Sequence, residues 1–169
     1  MSHINRAAGV AAVTGYLVFV LSVGAQQAVV LGPDEVGKVV PGSFYFQGQL
    51  APTQMRNAAA VSFAPQRHVI AALVDTSGYA SNIRSKFEGF LITDVALTIG
   101  GTQVKPGAYG FGFTEQPMMN IMDVAGDTLY SIKAAKDEKL QSPRPLAIVR
   151  SGNELRLYLG RNYVVLAAK

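Results

Sequence analysis

Beyond Gln27 no long segment of this chain sustains a 3.6-residue apolar period; short apolar or alternating runs recur instead, broken by glycine, proline and asparagine. A period of two puts successive side chains on opposite faces of an extended backbone, so such runs read as strands with one face toward a core. Residues 154–159 are the sharpest case, with Leu155, Leu157 and Leu159 on the core face and Arg156 and Tyr158 facing out. A strand over 145–150 leads into it through Ser151-Gly152-Asn153, and Gly160-Arg161-Asn162 leads on to a strand over 163–167. Together they make a three-strand meander.

The same pattern extends upstream. Residues 43–50 alternate Phe44, Phe46, Gly48 and Leu50 against Tyr45, Gln47 and Gln49, after Pro41-Gly42. Residues 58–63 and 68–75 are two further strand candidates, although the alanines of the first also suit a helix. Residues 87–99 form one long strand or two, ending at the hairpin signal Gly100-Gly101. In residues 108–114, Tyr109, Phe111 and Phe113 share a face, and Gly110 and Gly112 fall on the other, where a neighbour packs closely or the strand bends. Residues 119–123 and 128–132 read as strands around Ala125-Gly126-Asp127, and residues 134–141 as a short helix by propensity. The expectation is a mainly β fold: an antiparallel β-sandwich or barrel with at most one or two short helices. A helix-rich α/β architecture would need crossover segments of a dozen residues, and none is found. With no internal repeat or low-complexity linker, residues 26–169 are expected to form a single β-rich domain.

Residues 1–25 differ from the rest. Arg6 is followed by no charged residue until Asp34, and residues 7–23 are almost wholly apolar. Val23-Gly24-Ala25 supplies the small residues a signal peptidase accepts, so a secretory signal cleaved after Ala25 is expected. The alternative is an uncleaved hydrophobic helix: residues 7–25 span about 28 Å at 1.5 Å per residue, nearly a bilayer core. Arg6 would then hold the N-terminus inside. Either reading places the β domain in the periplasm, outside the cell or on the outer face of a membrane.

Composition narrows the chemistry. The absence of cysteine excludes disulfides, thiolate metal sites and a cysteine nucleophile. Formal charge is uneven: −2 over residues 26–129 and +5 over 130–169. Arg144, Arg150, Arg156 and Arg161 are therefore the candidate contacts to an anionic surface, beside the alternative that strand faces carry charge only for solubility. His68 is the sole histidine of the body, too few for a zinc or iron site. A Ser62–His68–Asp75 triad can be assembled on paper, but no spacing supports it and there is no Gly-x-Ser-x-Gly elbow. Asp75, Glu88, Asp94, Glu115, Asp123 and Asp127 are scattered, and Asp123 to Asp127 reads as a β-turn rather than a calcium loop. The basic residues do not interleave with a stacking motif, so nucleic acid is not an expected partner.

Residues 90–113 carry Val95-Ala96-Leu97-Thr98-Ile99-Gly100-Gly101 followed by Val104-Lys105-Pro106-Gly107-Ala108-Tyr109. This stretch resembles small uncharacterised exported bacterial proteins of acidobacterial type that share a domain of unknown function. The resemblance implies an exported β domain and brings no activity, cofactor or metal with it. The expected function is thus a non-catalytic binding or structural module of the cell envelope, partnered by a membrane protein complex or by further copies of itself. One alternative is a β-barrel carrier of a small apolar ligand, lined by Phe44, Phe46, Tyr109, Phe111 and Phe113. The other is an envelope hydrolase.

Overall fold

A computed structural model describes residues 28–168. The expected N-terminal helix, signal or anchor lies outside these residues. Among the described residues no helix is long and apolar enough to cross a membrane.

The chain runs through β1 (Val29–Val30), α1 (Pro33–Val39), β2 (Ser43–Phe46), β3 (Gln49–Ala64), β4 (Arg67–Val74), α2 (Ser81–Arg84) and β5 (Gly89–Thr93). It continues through β6 (Leu97–Ile99), β7 (Thr102–Val104), β8 (Gly107–Phe113), β9 (Met118–Met122), β10 (Thr128–Lys133) and β11 (Ala135–Lys136). The meander β12 (Arg144–Ser151), β13 (Glu154–Gly160) and β14 (Asn162–Ala168) closes it. Two antiparallel sheets result. The larger is ordered β1-β3-β4-β5-β8-β9-β10, with β2 paired to the start of β3; the smaller is β12-β13-β14-β6-β7, with β11 paired to β14. The 87–99 region is therefore two strands, β5 and β6, and the chain changes sheets between them.

The sheets face each other across a core containing Val61, Val69, Leu91, Phe111 and Ile121 from the larger, and Leu97, Ile99, Leu157, Val164 and Leu166 from the smaller. The larger sheet is also buried on its outer face. There α1, β2 and the segment around Tyr79 and Phe87 enclose a second core with Ala60, Ile70, Ala72, Phe90 and Met122. Phe46 stacks on Phe87 with centroids 3.8 Å apart, and Phe44 on Phe90 at 4.9 Å. Burial on both faces explains the alanines of β3 and β4. Ala59 and Ala71 face the inter-sheet core while Ala60 and Ala72 face the outer one. A strand covered on both faces loses the apolar/polar alternation that marks a half-buried one.

Helix α1 follows local rules. Pro33 opens it, where its fixed φ fits and its missing N–H is not needed. Asp34 and Glu35 complement the positive end, and the Glu35 carboxylate accepts from the Gly32 amide at 3.1 Å. Val36 and Val40 then anchor the helix in the outer core.

Two expectations are corrected. Residues 134–141 are not helical: Ala135 and Lys136 pair with β14, and the chain then turns about Asp137. Asp137 accepts from the Lys139 amide, the Tyr158 hydroxyl donates to Asp137 at 2.9 Å, and the Arg161 guanidinium donates to the carbonyls of Leu140 and Gln141. Tertiary partners here outweigh a propensity worth only tenths of a kcal/mol per residue. The same segment covers Tyr158, which is buried rather than facing solvent. Leu155 and Leu157 do point into the inter-sheet core, with Leu159 at its margin.

Candidate functional site

A cleft of about 330 Å³ lies where the edges of the two sheets meet, between α1, β3 and β12. Its wall is apolar: Leu31, Val36, Met55, Ala58, Leu146 and Ile148 line it, with Arg56 the one charged side chain. Three local features open it. The edge strand β1 is only two residues long. Strand β3 loses regular register between Thr53 and Ala58, and β12 between Arg144 and Ala147. Such irregularities bend strands away from their neighbours and are common beside binding sites. Small Ala58 and Ala59 then leave space that larger side chains would fill.

On the other side of β1 a shallower groove continues along Val29, Val30, Ile148, Val149 and Arg150. Val30 and Ile148 border both concavities. Val29 is 59% exposed, Val30 36% and Met55 41%, an unusual concentration of accessible apolar surface at one edge. The Arg150 guanidinium donates to the Ala28 carbonyl and ties the two edges together.

The five aromatics expected to line a ligand chamber do not gather in one place. Phe44 and Phe46 belong to the outer core, Phe111 to the inter-sheet core, and Tyr109 and Phe113 to the margin of the latter. None borders the edge cleft. The Gly110 and Gly112 face meets close neighbours, as the sequence suggested: a Cβ on Gly110 would lie 2.5 Å from the Phe46 ring.

The four arginines also differ. Arg156 is held by Glu154 at 2.7 Å and lies 4.4 Å over the Tyr163 ring. Its bonds to Tyr158 and Glu154 push its guanidinium pKa further up. Arg161 is tied to backbone carbonyls, as described. Arg150 donates to the Ala28 carbonyl, so among the described residues Arg144, exposed on β12, is the one of the four whose guanidinium has no protein partner.

Four of the scattered carboxylates, Asp75, Glu88, Asp94 and Asp123, accept from backbone amides. Asp75 accepts from the Ser77 amide at 2.9 Å, which holds its pKa below the usual value. Asp123 accepts from Ala125 and Asp127 and closes the turn between β9 and β10. Asp94 accepts from the His68 amide at 3.1 Å, with His68 Nδ1 3.9 Å from the same carboxylate. Ser62 does lie across from His68, but its hydroxyl donates to the Ala64 carbonyl. Asp75 sits beyond the far end of β4, about 23 Å from His68 at 3.3 Å per residue. The three do not form a triad. Among the described residues no group of three or more His, Asp or Glu converges as metal ligands would.

Glu88 is the carboxylic acid whose pKa is raised among the described residues. Burial pushes its carboxyl pKa up, partly opposed by the 2.6 Å hydrogen bond from the Phe113 amide. A carboxyl whose folded pKa lies above its unfolded one adds stability that is complete below the unfolded value and is lost as pH rises through the folded value. Glu88→Gln keeps an acceptor for Phe113 and removes the titration. We expect the variant to melt at or above the parent's temperature at neutral pH, with a smaller gain on acidification toward the model-peptide value of 4.5. Thermal melts across a pH series check this; identical pH profiles would refute it.

Sequence reasoning missed Met55, Arg56, Leu146 and Ile148 as a group. The available signal was an exposed Met-Arg pair just ahead of the alanine run, and it points nowhere until β12 is placed beside β3. Comparison of the chain with protein-family models, with curated proteins and with solved structures finds no match.

Proposed function

We propose that this protein is an exported, non-catalytic binding module of the cell envelope that uses the cleft between α1, β3 and β12. The observation that carries the reading is that cleft. It is open, apolar and bordered by exposed Val30 and Met55, whereas the carboxylates of Asp75, Glu88, Asp94 and Asp123 are engaged by backbone amides. Apolar walls with few polar groups are what ligand sites generally offer. Export is supported by the uncharged run after Arg6, the small residues ending at Ala25, and the resemblance around residues 90–113. The finer description as a sandwich follows from two sheets with free edges sharing one core.

Two measurements test the reading. When the full chain is expressed and cells are fractionated, the product should appear outside the cytoplasm with an intact mass beginning at Gln26. Full-length product dissolved in the cytosol would defeat the export part. For the cleft, a neutral environment-sensitive dye such as Nile red should bind saturably. The exposed substitution Met55→Asp should weaken that binding about tenfold, since a charge placed in an apolar site must be desolvated or must keep the dye out. Unchanged dye affinity in Met55→Asp would remove the cleft from consideration.

A further inference from the structure

The cleft between α1, β3 and β12 holds a single charge, and among the described residues that charge has no partner. Among the described residues no carboxylate lies within the 4.0 Å of an ion pair from the Arg56 guanidinium. Arg84 and Arg144 are likewise unpartnered among the described residues but lie off the cleft, and the remaining arginines are engaged. Arg67 donates to the Asp94 carbonyl, Arg150 to that of Ala28, Arg156 to Glu154 and Arg161 to Leu140. The acids nearest in sequence to the cleft wall are Asp34 and Glu35, and they lie off the lining positions Pro33, Val36 and Gly37. Glu35 is in addition engaged by the Gly32 amide.

Resting on the binding reading above, we propose that the cleft takes a free single-chain anionic amphiphile: a carboxylate at Arg56 with its hydrocarbon chain against Met55, Leu146 and Ile148. Both halves of such a ligand find their complement. The chain leaves water for a wall of aliphatic side chains, a gain of about 0.8 kcal/mol, or fourfold in affinity, per buried methylene. The head meets a planar donor fork that suits a carboxylate and is not already neutralised. A cationic or neutral head gains nothing from Arg56, so the cleft sets a charge preference as well as an apolar one.

The experiment uses the protein as the cell produces it, free of detergent, and titrates hexanoate, octanoate, decanoate and dodecanoate below their micellar range by calorimetry. Dodecyltrimethylammonium serves as the chain-matched cation. Affinity should rise about fourfold per methylene until the cleft is filled, and dodecanoate should bind about tenfold tighter than the cation. Arg56→Gln, an exposed change that leaves the core untouched, should abolish the head-group preference but keep the chain-length trend. Arg84→Gln, an exposed change on α2 away from the cleft lining, should change neither. Equal binding of both heads, unaffected by Arg56→Gln, would overturn the assignment of the anion while leaving an apolar site. No saturable binding of any chain would overturn this proposal and the cleft reading together. A further arm sediments the protein with phosphatidylglycerol vesicles: vesicle binding without saturable dodecanoate binding would overturn the free amphiphile in favour of a bilayer surface.

Discussion

Gly112→Ala should cost this protein about 3 kcal/mol or more and lower its urea midpoint by at least about 1 M. A Cβ built on Gly112 lies 2.1 Å from the Lys86 carbonyl oxygen and 2.8 Å from its carbon. These are backbone atoms, so no side chain can swing aside. The segment that must move is itself pinned: the Glu88 amide donates to the Phe111 carbonyl, the Phe113 amide donates to the Glu88 carboxylate, and Phe87 is fully buried. Separation by the roughly 1 Å needed for ordinary contact would break these bonds and unseat Phe87 from its stack on Phe46. The same substitution at Gly37 should act in the opposite sense. That glycine lies within α1 with nothing within 4 Å of the added carbon. Alanine there removes unfolded-state freedom and raises helix propensity, a gain of about 0.5–1 kcal/mol. Chemical denaturation of both variants gives the comparison. A Gly112→Ala protein with the parent's midpoint would mean that the 86–88 segment is not held where the packing places it.

The contrast between these two glycines shows what the sequence could and could not say. The alternation at Gly110 and Gly112 left two readings, a close approach or a bend in the strand, because glycines opposite an aromatic face suit either. It could not say that the approaching groups were the Phe46 ring and the Lys86 carbonyl, since those come from more than 20 residues upstream. Strand positions flanked by glycine and proline turns were legible, including the closing meander, because hairpin turns are local chemistry. The doubly buried strands were harder: Ala58 to Ala60 reads as either helix or strand until both faces are known to be covered. Helix α1 was written in Pro33, Asp34 and Glu35 but is too short to show a period. The helix expected at 134–141 failed because Tyr158 and Arg161, distant in sequence, bond Asp137 and the Leu140 carbonyl and fix that segment in another shape. The cleft was illegible for the same reason. Arg56 and Ile148 are ordinary residues alone, and only the pairing of edges gives them a shared surface.

Phe46→Ala should be as damaging as any substitution in the outer core, at about 3–5 kcal/mol. Phe46 is fully buried, stacks on Phe87, and meets Tyr79 edge-on at a centroid distance of 6.3 Å. The floor beneath its ring is Gly110, which has no side chain to relax into the void, so the loss should fall toward the upper end of that range. This arrangement makes a sign-reversing prediction. Gly110→Ala alone drives a methyl group to 2.5 Å from the Phe46 ring and should destabilise by about 1–3 kcal/mol. Once Phe46 is alanine, the same methyl enters an empty space and should restore part of the lost packing. The double variant should therefore be more stable than Phe46→Ala, although each change is harmful by itself. The coupling should be of the order of 0.5–3 kcal/mol, as for residues in direct contact. Urea melts of the four members of the cycle measure it. Additive losses would show that Phe46 does not lie against Gly110, and the outer aromatic stack would have to be placed differently.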